Sequence, residues 1–136
     1  MRILLDTNIL ISAALFPNGI ASAAYAKAVT FPNKGIVCDW SIEELHRVFN
    51  RKFPARIEFL HRFLSMASLA VEIIPTPADE VPDELKIRDI NDRPLLRAAQ
   101  KARVDLILTG DKDFLESGVD YPVIIDPAKF LSVNDC

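Results

Sequence analysis

Cysteine is scarce in this 136-residue chain, with Cys38 and Cys136 the whole complement. Two thiols so placed make neither a disulfide framework nor a metal-site spacing, and the simple expectation is a reducing, cytoplasmic setting. Histidine is equally sparse: His46 and His61 fall on helical stretches with no partner at ligand spacing, so no set competes for zinc. Long apolar runs are missing too. Nothing approaches the ~18 residues of a membrane span. The apolar opening "MRILLDTNILISAAL" is split by Asp6 and Asn8 before it reaches the ~7–15 residues of a signal-peptide core. No membrane association is expected. Internal repeats and low-complexity tracts are also missing.

What remains is ordinary for a globular protein: 50% apolar and 26% charged residues, enough for a core without staples. The length fits one domain over 1–136. A net charge of −3 argues against broad affinity for nucleic acid, yet the charges segregate. Arg47, Arg51, Lys52, Arg56 and Arg62 stand between Leu45 and Phe63 against Glu58 alone. Six acids, Asp79 to Asp92, are crowded into the next polar stretch against Lys86 and Arg88. The basic stretch reads either as a solvated helix face or as a rim that contacts phosphates.

Short apolar runs alternate with helical patterns. Residues 2–5, Ile36–Cys38, "AVEIIP", "VDLILTGD" and "YPVIID" read as five strands, their unbroken apolar character suiting parallel strands covered on both faces. Helices are expected from about Asn8 to Leu15, over "IASAAYAKAV", over "SIEELHRVFNRKF" with Ser41 and Glu44 at capping-box spacing, over "PARIEFLHRFLSMASL", and from about Asp92 with Pro94 in its first turn. "TPADEVPDELKIRDIND" reads as a long loop. The pattern predicts an α/β fold with a mainly parallel sheet.

In such sheets ligands bind beyond the carboxyl ends of the strands. Asp6 follows the first strand and Asp111 the fourth. Glu44 and Asp92 stand near helix starts that face the same edge, so the four acids can converge. Each also has a plain structural reading: Asp6 and Asp92 as helix caps, Glu44 as half of a capping box, Asp111 as part of a turn. Clustered carboxylates repel unless a cation neutralises them, and Mg²⁺ or Mn²⁺ suits an all-oxygen set.

Three segments, "LLDTNILISAAL", "SIEELHRVF" and "RDINDRPLLRAAQKARVDLILTGDKDFL", resemble the PIN-domain family in this order and at these separations. The branch they most resemble is the toxin component of toxin–antitoxin pairs. The resemblance implies a three-layer α/β/α sandwich with about five strands and metal-dependent cleavage of RNA, usually single-stranded. It places Asp6, Glu44, Asp92 and Asp111 as metal-site acids, Asp113 as a further acid, and Asn8 and Thr109 as supporting polar residues. Asp111 and Asp113 compete for the place nearer the metal, Asp89 for that of Asp92, and Glu43 for that of Glu44. The expected chemistry is hydrolysis of an RNA phosphodiester, with one or two Mg²⁺ or Mn²⁺ ions activating water and Arg47, Arg51, Lys52 and Arg56 holding the strand. A small antitoxin protein and a homodimer are the expected partners. The rival readings are a non-catalytic module that binds metal, RNA or a partner, and another phosphoryl-transfer enzyme. Haloacid-dehalogenase-like phosphatases want an acid where Asn8 stands, and receiver domains want an acidic pair that "LLDTN" lacks.

Overall fold

A computed structural model describes residues 1–133; Cys136 lies outside them. Five strands, β1 (Arg2–Leu5), β2 (Lys34–Cys38), β3 (Val71–Ile74), β4 (Leu106–Leu108) and β5 (Val123–Ile125), form one sheet in the order β3-β2-β1-β4-β5. Every pairing is parallel. Parallel strands need crossovers, and helices supply them: α1 (Thr7–Leu15), α2 (Ile20–Val29), α3 (Asp39–Lys52), α4 (Ile57–Ala70), α5 (Arg93–Ala102), α6 (Lys112–Leu115) and α7 (Pro127–Ser132).

Alternation along β1 assigns the two faces. Ile3 and Leu5 join Leu10, Ala24, Leu45, Phe49, Leu60 and Phe130 in one core under α1–α4 and α7. Leu4 points the other way and packs with Ile36, Leu95, Leu96, Ile107 and Phe114 under α5 and α6. The expected α/β/α sandwich is what forms. α2 is built on small residues, Ala21, Ala24 and Ala28, all buried, so it approaches the sheet closely. Gly35 on β2 accommodates that approach: a Cβ there would stand 2.7 Å from Val29 Cγ1. No single helix among the described residues is long and apolar enough to cross a membrane.

Two local expectations differ from the structure. α3 starts at Asp39 and not at the predicted Ser41 cap. The chain passes from β2 straight into the helix, which turns Ser41 inward; it is buried with its Oγ 3.4 Å from Cys38 Sγ. The capping box therefore does not form, and Glu44 is free of that task. The "loop" before α5 holds two 3₁₀ turns, Pro82–Lys86 and Ile90–Asp92. Side-chain contacts to α5, invisible to periodicity, hold them.

Strand order reverses between β1 and β4. To one side of β1 the chain steps to β2 and β3, to the other it reaches β4 and β5. Connections therefore diverge at the carboxyl ends of β1 and β4 and leave a crevice there.

Candidate metal centre at the β1–β4 crevice

Asp6 stands one residue beyond β1 and closes α1 as its N-cap, accepting a hydrogen bond from Thr7 N–H at 2.6 Å. Its other oxygen accepts from the Thr109 hydroxyl at 2.6 Å, across 103 positions of sequence. Thr109 follows β4 and is wholly buried. The same hydroxyl oxygen accepts from Asp111 N–H at 3.0 Å and from the Asn8 amide at 3.5 Å. Asn8 Oδ1 in turn accepts from Gly110 N–H at 3.3 Å. Asp6 and Asn8 thus tie the end of β1 to the end of β4, through the Thr109 hydroxyl and the Gly110 amide. The capping and functional readings of Asp6 coexist in one side chain, because its two oxygens serve different partners.

Asp111 caps α6, accepting from Asp113 N–H at 2.9 Å. Its carboxylate meets those of Asp92 and Asp89, each of the three offering an oxygen within 4.8 Å of the others. Asp92 is the N-cap residue of α5 without making a side-chain cap bond, and its Oδ2 is buried with no hydrogen-bond partner. A buried acceptor left without a donor is costly; here it belongs to a carboxylate that already lies against two other acids.

The electrostatics reflect that crowding. Burial first of all raises the Asp6 carboxyl to about 6, with the charges of Glu44 and Asp111 adding to the rise and the Thr109 and Thr7 bonds opposing it. Asp92 is pushed up to about 9 by burial, by a hydrogen bond shared with Asp111, and by the charges of Asp6, Asp111 and Asp89. Such paired displacements in one cleft mark a functional site. The donor set is all oxygen, which suits a hard divalent cation, and a cation at the orphaned Oδ2 removes both the repulsion and the unmet acceptor.

Of the four expected acids, Asp92 and Asp111 therefore meet, Asp6 exchanges charge effects with both and with Glu44, and Asn8 and Thr109 hydrogen-bond beside them. Glu44 is half-buried on α3 and its charge acts on Asp6, whereas Glu43 is exposed. The carboxylate of Asp113 is not one of the trio and pairs with Arg88 Nη1 at 3.4 Å. Asp89 joins Asp92 instead of replacing it; its three-residue spacing spans a single 3₁₀ turn, which sequence pattern alone did not indicate. The basic residues scatter. Arg47 lies one turn beyond Glu44 with its guanidinium over Trp40 at 5.1 Å. Arg51 and Lys52 occupy the last turn of α3, where cations complement the helix dipole, and Arg56 stacks over Phe59 near α4 at 5.6 Å.

An open parallel sheet with a carboxylate cluster at its switch point defines the class: an α/β protein whose acids could hold a metal ion. The family model described as "PIN domain" matches residues 2–113, and the chain belongs to that family. No curated protein sequence matches it. Among solved structures it is similar to VapBC2 from Rickettsia felis bound to a fragment of its promoter DNA, with a TM-score of 0.69, 18% identity, and coverage of 93% of this chain and 98% of that one. It is also similar to VapC20 of Mycobacterium tuberculosis, a sarcin–ricin-loop-cleaving toxin, with a TM-score of 0.61, 17% identity, and coverage of 85% and 95%. FitAcB from Neisseria gonorrhoeae gives a TM-score of 0.65, 20% identity, and coverage of 93% and 98%.

Proposed function

We propose that the protein is a Mg²⁺- or Mn²⁺-dependent endoribonuclease that hydrolyses phosphodiesters of single-stranded RNA. The observation that carries the reading is the meeting of the Asp89, Asp92 and Asp111 carboxylates, with one Asp92 oxygen buried without a partner and the charges of Asp6 and Glu44 acting nearby. Asp89, Asp92 and Asp111 would hold the cation, with Asp6 and Glu44 completing its surroundings. A bound ion supplies charge neutralisation at the phosphate and activation of the attacking water. The chain's own residues do the rest. Thr109 fixes Asp6 and the Asp111 backbone relative to each other. Asn8 holds the Gly110 turn, which keeps the Asp111 carboxylate aimed into the crevice. Arg47, one turn from Glu44, is the member of the basic stretch best placed to meet the RNA backbone.

The family and the structural likeness to VapBC2, VapC20 and FitAcB support a toxin role. On this reading the protein acts in the cytoplasm as a homodimer and is silenced by a small antitoxin protein. The test is cleavage of labelled single-stranded RNA by the parent and by Asp6→Asn, with Mn²⁺, Mg²⁺ or EDTA. Cutting that needs both the metal and Asp6 supports the reading. Parent-rate cutting by Asp6→Asn overturns the assignment, and failure of the folded, metal-loaded parent to cut favours a non-catalytic binding module.

A further inference from the structure

The proposed metal centre leaves one buried ion pair unused. Glu84, 3% exposed, sits in the first 3₁₀ turn before α5. Its two oxygens accept from Arg97 on α5, Nη2 to Oε1 at 2.7 Å and Nε to Oε2 at 3.2 Å. The fork is bidentate, the geometry that gives such pairs direction as well as strength. Burial alone would raise the Glu84 carboxyl, but the Arg97 bonds, the Val81 N–H and the charges of Arg97 and Arg93 outweigh it and hold the group below its ordinary value. The third Arg97 nitrogen donates to Pro77 O at 3.1 Å.

This pair connects two places that matter to the carboxylate trio. Arg97 lies one turn along α5 from its first residue, Arg93, and Asp92 immediately precedes that residue. Glu84 sits at the other end of the connecting segment. From Glu84 the path to Asp89 is short and pinned: Ile87 N–H donates to Glu84 O at 3.0 Å, Ile87 is wholly buried, and Arg93 Nε donates to Ile87 O at 3.1 Å. Asp89 comes two residues later, with Asp92 N–H bonded to its carbonyl at 3.1 Å. Ile87 fixes how deep the segment lies; the ion pair fixes its direction relative to α5.

We propose that Glu84 and Arg97 are positioning residues, a clamp that folds the segment 84–92 back onto α5 and so sets Asp89 against Asp92 and Asp111 for binding a divalent cation. The inference rests on the metal-dependent reading above. The side-chain bonds of Glu84 and Arg97 go to each other, to Val81 and to Pro77, so the clamp acts on affinity through the placement of Asp89, as groups that orient metal ligands do.

The test titrates Mn²⁺ into the full chain by calorimetry, for the parent, Asp92→Asn, Glu84→Gln and the double variant Glu84→Met/Arg97→Met, with thermal unfolding measured on each. The double variant replaces both charges with unbranched apolar chains, a swap that often restores stability to a broken buried pair. The clamp predicts that Glu84→Gln and the double variant both bind Mn²⁺ about 10-fold more weakly than the parent, even where the double variant unfolds at the parent temperature. Parent-like affinity in either folded variant refutes the clamp while leaving the metal centre standing, since a merely structural pair moves only the unfolding temperature. Absence of Mn²⁺ binding by the parent, or parent-like binding by Asp92→Asn, removes the centre and the clamp together.

Discussion

Asp6→Asn should stabilise the metal-free protein at neutral pH, although it is the substitution chosen to abolish cleavage. Asp6 is 3% exposed, and its carboxyl is raised from 3.8 to about 6, chiefly by burial. For an acid whose folded value lies above its unfolded value, the folded state keeps the proton longer. Stability is then undiminished below about pH 4, falls as pH rises from about 4 to 6, and stays reduced above that. The displacement corresponds to about 3 kcal/mol of lost stability at pH 7. Asparagine removes that penalty but weakens the bonds from Thr109 and Thr7, returning about 1 kcal/mol. A net gain of about 2 kcal/mol remains. With an unfolding entropy of about 0.29 kcal/mol/K for a chain of this size, the midpoint should rise about 7 °C in EDTA at pH 7.5. At pH 4 the order should invert, the variant melting about 1–2 °C below the parent, because the lost bonds then outweigh the small part of the charge penalty already present. Saturating Mn²⁺ should also favour the parent, which alone retains the complete centre. Thermal unfolding of both proteins from pH 4 to 8 in EDTA provides the check. A variant that melts below the parent at pH 7.5, or a difference that does not change with pH, would refute the claim that Asp6 is held charged at a cost.

The remaining expectations concern the same centre and its supports. With Asp92 raised to about 9, Mn²⁺ binding at pH 7.5 should expel close to one proton, and affinity should climb about tenfold per pH unit until pH approaches 9; calorimetry in buffers of differing ionisation enthalpy counts the protons. Thr109→Val deletes the hub hydroxyl and should slow cleavage by about 10- to 100-fold, with Thr109→Ser largely retaining the rate; single-turnover assays separate the two. Arg47→Ala should raise the KM for RNA and reduce its salt dependence, whereas Arg51→Ala should move neither noticeably, given its place at the far end of α3. Gly35→Ala drives a methyl to 2.7 Å from Val29 Cγ1 and should cost about 1–3 kcal/mol, a loss that Val29→Ala in the same chain should partly reverse in denaturant titrations.

Much of this arrangement is legible in the residues. The strands are short unbroken apolar runs, a pattern that only a sheet covered on both faces rewards, and parallel pairing follows. Asp6 announces itself as an acid directly after such a run, and Asp111 as one in the turn that follows another. The start of α3 misled because Ser41 and Glu44 match a capping box in one dimension, while the inward turn of Ser41 against Cys38 is a property of packing. The turns before α5 were hidden for a related reason: the Glu84–Arg97 contact that holds them spans 13 positions and leaves no periodic trace. Proximity in sequence likewise conceals how the basic residues are spaced along α3. Arg51 and Lys52 share a helix with Glu44 but are carried along its axis about 1.5 Å per residue, some 10 Å or more away.

The sheet order also sets a schedule. β1 carries Asp6 and is made first, yet its neighbour on the crevice side is β4, about a hundred residues later. Until Leu106–Leu108 is synthesised and docks, the earlier acids are present but Thr109 and Asp111 are not, and nothing spans the two strand ends. The carboxylate cluster is thus among the last features a growing chain acquires. A nascent or prematurely terminated copy that lacks β4 and the turn after it holds an incomplete cluster.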